Sequence, residues 1–238
     1  MIGFVTGSVG LTLDAPTDSR AIDTPFGAPS ADIASHRIAG EDVLVLARHG
    51  AAHEFAPHEI NYRANVWALK EAGATSLVAC FTVGGIDPAL APGALVVPDQ
   101  IVDYTWGREM TYGGHANDVP VMHALFDEPF DAALRQRLLA ASDELVDGGV
   151  YGCTQGPRLE SAAEIVRMAR DGCSLVGMTG MPEATLAREL ELPYAAVCLV
   201  VNPAAGVGAI VETEIREVAR QGATRLADVF AAFLGGPG

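Results

Sequence analysis

Ser76-Leu77-Val78-Ala79-Cys80-Phe81, continued by Thr82-Val83-Gly84-Gly85, is the stretch on which the fold turns. Its first six residues are apolar almost without interruption. A strand with one face in water alternates apolar and polar residues, whereas a strand covered on both faces does not. Similar runs lie on either side: Ile2–Val5, Val43–Ala47, Leu95–Val97, Val150–Thr154, Leu175–Met178 and Ala195–Val201. Between them fall helical patterns at Tyr62–Ala72, Phe130–Val146, Ser161–Arg170, Pro182–Leu190 and Glu212–Phe233. In the last, Ile215, Val218, Leu226, Val229 and Phe233 share one stripe, interrupted by Gly222, which costs helix propensity. Pro182 suits a first helical turn. This alternation predicts one α/β domain over residues 1–238, with a mixed, mostly parallel central sheet flanked by helices. Trp106–Pro129 lacks either period and reads as a long loop, a kind of segment that is often functional. The last residues, Leu234–Gly238, are expected to fray.

The bulk properties narrow the function. The chain has 238 residues, half of them hydrophobic and 19% charged, with a formal net charge of −15. Such an acidic surface repels nucleic-acid phosphates and anionic lipid, so neither is expected as a partner. An anionic substrate would be repelled too, and must be held by donors placed locally. Cys80, Cys153, Cys173 and Cys198 are far apart, without metal-ligand or redox spacing, and read as small buried hydrophobes of a reducing compartment. No basic leader precedes Ile2–Val5 and no apolar stretch reaches membrane length, so a soluble cytoplasmic protein is expected.

Six segments at strand ends could carry chemistry, and each has a plainer reading. Thr6-Gly7-Ser8-Val9-Gly10-Leu11 offers backbone N–H groups and a hydroxyl to an anion, or is a simple turn. Arg48-His49-Gly50 gives a forked donor suited to phosphate, or a surface ion pair. His49 and His53 have H-x-x-x-H spacing, but the glycine and the strand-end setting argue against a metal site. Phe81-Thr82-Val83-Gly84-Gly85 reads as a glycine-bearing loop at a strand's carboxyl end, where open α/β sheets bind ligands. In Gly156-Pro157-Arg158-Leu159-Glu160 the glutamate is a ligand group or a first-turn cap. Thr179, in Gly177-Met178-Thr179, is an anion ligand or an N-cap. Asn202, in Val201-Asn202-Pro203-Ala204-Ala205-Gly206, is a ligand or a turn residue. Together they supply the polar rim of a pocket on one edge of a sheet.

The set resembles the trimeric purine nucleoside phosphorylase family. The resemblance is carried, in family order, by Thr24-Pro25-Phe26-Gly27-Ala28-Pro29-Ser30, by Arg48-His49-Gly50 with Asn61-Tyr62-Arg63-Ala64-Asn65, and by Pro98-Asp99-Gln100. Further on come Gly156-Pro157-Arg158, Gly177-Met178-Thr179 and Pro182-Glu183-Ala184. It implies phosphate attack at C1′ of a purine nucleoside, with inorganic phosphate as co-substrate and neither cofactor nor metal. It also implies a homotrimer whose His123 reaches a neighbouring pocket. Ser8, Arg48, His49, Thr82 and Thr179 would hold phosphate, and Met178 would pack on the ribose. Phe81, Val83, Leu159, Ala204 and Glu212 would complete the substrate wall. Asn202 would steady the departing base and Glu160 would read it.

The base follows from donor and acceptor matching. A 6-oxopurine presents N1–H as a donor and O6 as an acceptor, which suits a carboxylate at Glu160 and an amide at Asn202. A 6-aminopurine turns a lone pair at N1 toward the same carboxylate. This pair, with Asn202-Pro203-Ala204-Ala205-Gly206, looks most like the methylthioinosine members of the family, which act in nucleoside salvage. An inosine/guanosine or methylthioadenosine phosphorylase is the nearest alternative. A nucleoside hydrolase and a catalytically lost nucleoside binder are more distant ones. Val9 and Phe81 stand where the family carries phosphate-side polar residues. Glu212, where the 5′ group is read, would suit a 5′-hydroxyl or simply face solvent.

Overall fold

The computed structural model describes residues 1–114 and 120–236. Its elements are β1 (Ile2–Thr6), β2 (Asp18–Arg20), β3 (Ile33–Ile38), β4 (Glu41–Ala47), α1 (Tyr62–Glu71), β5 (Ser76–Gly85), β6 (Leu95–Val97) and β7 (Gln100–Asp103). They continue with α2 (Ala132–Leu139), β8 (Leu145–Asp147), β9 (Val150–Cys153), α3 (Ala162–Arg170), β10 (Leu175–Gly177), α4 (Gly180–Glu189), β11 (Tyr194–Pro203) and α5 (Glu212–Gly235). All eleven strands belong to one sheet, with the path β2-β3-β4-β1-β5-β10-β9-β7 and a branch from β5 through β11 and β6 to β8. β4, β1, β5 and β11 run parallel, and β10 lies antiparallel to β5. The expected mixed α/β sheet is therefore present.

β5 explains the unbroken apolar run. Leu77, Ala79 and Phe81 face one core cluster with Val66 and Leu69 of α1. Val78 and Cys80 face another, with Phe230 and Phe233 of α5. Each side chain from Leu77 to Phe81 thus meets a covered face, as a buried central strand requires. The two clusters bury dozens of apolar side chains, at roughly 25 cal/mol per Å² of apolar surface removed from water.

Three expectations change. Thr82-Val83-Gly84-Gly85 is not a loop but the last part of β5, paired with β11 out to Pro203. Its glycines answer to proximity rather than to turning, since a Cβ on Gly85 would lie 2.5 Å from the Leu90 carbonyl oxygen. The helix expected over Phe130–Val146 ends at Leu139, and Leu145–Asp147 pairs with β6 as a parallel strand. The pattern of Leu138, Leu139 and Leu145 satisfies either period, and pairing decides it. Gly222 does not break α5. A Cβ there would come within 2.2 Å of Leu199 Cδ2, so glycine is what lets the helix lie on β11.

The family-like segments around Phe26 and Asn61 are tied to each other. Asn61 caps α1 by accepting from the Ala64 N–H, and its Nδ2 donates to the Phe26 carbonyl at 2.7 Å. Buried Asn65 accepts from the Ser30 N–H at 2.7 Å and donates to Ser30 Oγ. Two asparagines thus fix the 26–30 loop to a helix that forms part of the core.

Candidate functional site

The site lies where one edge of β5 changes partner. β1 pairs with Ser76–Ala79, and β10 takes the same strand at Gly84 and Gly85. Cys80–Val83 lie between these two pairings. Arg48 Nη1 donates to the Cys80 carbonyl at 3.1 Å. Beyond it opens a cavity of about 600 Å³ lined by Ser8, Arg48, His49, Thr82, Val83, Leu159, Glu160, Met178, Thr179, Asn202 and Ala204. The antiparallel course of β10 accounts for Met178 and Thr179 being there. The pairing of Val176 with Gly84 sends the chain back along β5 toward Thr82. The wall therefore combines the carboxyl ends of β1 and β4 with the flank of β5, rather than a single row of carboxyl ends.

Most of the residues expected from the sequence are brought together, but with altered freedom. Arg48 is fully buried and spends its fork on Glu183, with Nε at 2.7 Å and Nη2 at 2.9 Å from the two carboxylate oxygens. Tyr194 donates to the same carboxylate at 2.8 Å. Burial opposes the Arg48 charge, and the Glu183 carboxylate outweighs it, holding the guanidinium above its ordinary range. The plain reading of Arg48 as a surface ion pair is wrong: the pair is internal. Among its groups Nη1 has only the Cys80 contact described, and it lies beside Gly7, where a Cβ would approach it to 2.9 Å.

His49 Nδ1 is 2.8 Å from the Phe55 carbonyl, which makes Nδ1 the protonated nitrogen and leaves Nε2 as an acceptor. Burial first, then the charge of Arg48 and the neighbouring His53, push its pKa down to about 4, against the opposing Phe55 bond. The His49 and His53 rings lie 4.5 Å apart. No cluster of metal-ligating groups occurs among the described residues. Thr179 is buried at the N-cap position of α4 but makes no side-chain cap bond. Its N–H donates to the Tyr151 hydroxyl. Helix α4 becomes regular only at Pro182, because Met181 before it is extended (φ −116°, ψ 136°), as the residue preceding a proline prefers.

At the other polar group, Thr154 donates to Glu160 Oε1 at 2.6 Å. The cap of α3 is Ser161 in a capping box with Glu164, so Glu160 is not spent on the helix. Asn202 Nδ2 donates to the Pro203 carbonyl at 2.7 Å. That commits one of its two amide hydrogens and leaves one.

Three expected residues do not line the cavity. Phe81 is buried beneath it, its ring 5.0 Å from that of Tyr151 and 4.9 Å from the Arg48 guanidinium carbon. Glu212 is exposed and paired with Arg216 one helical turn on. The wall beside it is formed by Ile210, Ile215 and Ala219. His123 is exposed and makes no contribution to the cavity of its own chain. Val9 points into the core, while Ser8 beside it lines the cavity. The sequence reading missed Glu54, Phe55 and Pro57, which follow the His49 turn, and the apolar trio on and before α5. Of the trio, Ile215 belonged to the helical stripe read from the sequence. What was not visible is that Ile215 and Ala219, while packed against the core, also face the cavity.

Known proteins resemble this chain over nearly its whole length. The family model described as the phosphorylase superfamily matches residues 1–235. A probable S-methyl-5′-thioinosine phosphorylase of Pseudomonas syringae pv. tomato is 50% identical, covering 97% of each chain. An S-methyl-5′-thioadenosine phosphorylase of Mycobacterium tuberculosis is 44% identical over 98% of this chain and 83% of its own. Among solved structures, a methylthioadenosine phosphorylase from Schistosoma mansoni in complex with adenine superposes with a TM-score of 0.91. It is 30% identical and covers 98% of this chain and 90% of its own.

Proposed function

The chain belongs to the phosphorylase superfamily, and from that premise we propose that it cleaves a 6-oxopurine 5′-deoxy-5′-methylthionucleoside with inorganic phosphate. The substrate that fits is S-methyl-5′-thioinosine, in nucleoside salvage. A phosphate oxygen bonds to C1′ as the bond from C1′ to N9 breaks, the electron pair leaves with the purine, and the base takes up a proton to balance the one the phosphate gives up. The products are hypoxanthine and methylthioribose 1-phosphate. Such a step gains mainly from positioning and from donors aimed at the developing charge.

The observation that carries this reading is one cavity wall holding three kinds of surface. Ser8, Thr82, Thr179 and the Arg48–His49 pair supply the phosphate side. Glu160 keeps Oε2 for N1–H, and Asn202 keeps one amide hydrogen for N7. Ile210, Ile215 and Ala219 offer an apolar surface that suits a methylthio group and disfavours a 5′-hydroxyl. No metal or organic cofactor enters the scheme.

The active form is proposed to be a homotrimer, with His123 completing a neighbour's pocket. Exposed Val121, Met122 and Leu125 around it are an apolar surface that a subunit contact would cover. The four free, buried cysteines suit a reducing compartment such as the cytoplasm. No helix among the described residues is long and apolar enough to cross a membrane. The test is release of free base from methylthioinosine, methylthioadenosine and inosine, each with and without phosphate. Phosphate-dependent release, fastest from methylthioinosine, is expected. Equal release without phosphate would identify a hydrolase.

A further inference from the structure

Arg108 sits in the patternless stretch after Trp106 and is not part of the cavity wall. Its guanidinium nevertheless gathers the backbone behind three parts of that wall. Nη1 donates to the Met178 carbonyl at 2.9 Å and to the Met181 carbonyl, on either side of Thr179. Nη2 donates to the Gln155 carbonyl at 2.9 Å and reaches that of Thr154 at 3.4 Å. Nη1 also lies 3.2 Å from the Tyr62 hydroxyl, which donates to the carbonyl of Pro57, another wall residue. The guanidinium carbon is 5.3 Å from the Tyr62 ring centroid.

We propose that Arg108 is a positioning residue for the reaction read above, and that by fixing the chain at Thr154 and Gln155 it sets the base selectivity of the site. The proposal rests on that functional reading. Thr154 is the link. Its carbonyl meets Arg108 and its hydroxyl holds Glu160 Oε1. Several carbonyl dipoles pointing at one spot repel each other unless a cation sits between them, and a planar fork with five donors meets that need better than an ammonium. Thr154 is also held to the Gly177 carbonyl by its N–H at 2.8 Å and its hydroxyl at 3.3 Å. Loss of the fork therefore frees the chain beyond those bonds, at Gln155 and at Met178–Met181, and Glu160 loses the place from which it distinguishes N1–H from a bare N1. A displacement near 1 Å in such a site costs up to about a hundredfold in rate.

The test compares Arg108→Met and Arg108→Lys with wild type, with Arg225→Met as a control. Arg225 bonds the Gly93 carbonyl and Glu144, away from the cavity. The readout is the ratio of kcat/KM for methylthioinosine to that for methylthioadenosine at saturating phosphate. A merely structural loss lowers the active fraction equally for both and leaves the ratio unchanged. Arg108→Met is expected to reduce the ratio about tenfold or more, Arg108→Lys to fall between, and Arg225→Met to leave it alone. Amide hydrogen exchange should speed up in residues 154–160 and 178–181 together. An unchanged ratio in Arg108→Met, or exchange unaltered in these segments, overturns the proposal. Wild type that cleaves neither nucleoside would instead refute the functional reading, and the exchange result, which needs no substrate, would still decide whether Arg108 holds both segments. If Arg108→Met fails to fold, Arg108→Lys carries both measurements.

Discussion

Glu183 receives Arg48 through two charge-assisted hydrogen bonds, at 2.7 and 2.9 Å, with both side chains shielded from water. An arginine so engaged, with further bonds to the Cys80 and Val5 carbonyls, is a source of local field and of one remaining donor, not a free bidentate clamp. Removing one partner leaves a buried charge uncompensated, while removing both does not.

Glu183→Gln or Arg48→Met alone should therefore cost about 3–5 kcal/mol, read as a fall in Tm. The double variant Arg48→Met/Glu183→Leu should recover much of that loss without recovering phosphorolysis. If the double variant is as unstable as either single one, the coupling assigned to this pair is wrong.

His49 gives a prediction in pH. Its ordinary value is 6.5 and burial brings it to about 4, so the unfolded chain takes up a proton that the native site resists. Stability should fall as pH drops from about 6.5 to about 4 and level off below, and His49→Gln should flatten that segment of the profile. Phosphate beside His49 would raise its pKa, so binding near pH 5.5 should draw a proton from buffer. Calorimetry in buffers of different ionisation enthalpy measures this. No difference between buffers would remove His49 from the phosphate side.

Asn202→Asp should weaken the preference for the 6-oxopurine. The new carboxylate would face the Pro203 carbonyl where an N–H now donates, and would have no hydrogen for N7. Loss of one preorganised donor predicts a fall on the order of 10²-fold or more with methylthioinosine. With methylthioadenosine the loss should be smaller or become a gain, because the carboxylate can accept from the N6 amine. The measurement is kcat/KM for both substrates. Wild type that prefers methylthioadenosine would undo the pairing of Glu160 and Asn202.

The apolar trio makes the fourth prediction. Wild type should favour methylthioinosine over inosine by about 10–200-fold, the range open to an apolar pocket. Ile215→Asn should shrink that factor, and Glu212→Ala should leave it intact, since Glu212 is exposed and paired with Arg216. A shift in Glu212→Ala as large as in Ile215→Asn would return the glutamate to the site.

Much of the sheet could be read from the chain because burial on both faces writes continuous apolar runs, as in β1, β5 and β11. β2, three exposed residues Asp18-Ser19-Arg20 at an edge, writes nothing. β8 was hidden because Leu145 fits a helix and a strand equally. Thr82, Thr179, Glu160 and Asn202 were legible as polar residues where apolar runs end. Arg108 was not, because its partners are mostly backbone carbonyls, which every residue type supplies. Nor was the internal pairing of Arg48, since Glu183 lies 135 positions away in the chain.

Helix α5 rests on β11 at Gly222, where the neighbouring Leu199 leaves no room for even a methyl group. The same helix carries Ile215 and Ala219 into the cavity, the first about 10 Å further along the axis at 1.5 Å per residue. Gly222 is thus a fulcrum. Added bulk there, or at Leu199, tilts a lever whose far end is the surface proposed to face the 5′ group. The tolerance of this enzyme for different 5′ substituents can accordingly be tuned by residues that never touch a substrate, and a directed search confined to the cavity lining would overlook the most economical place to change it.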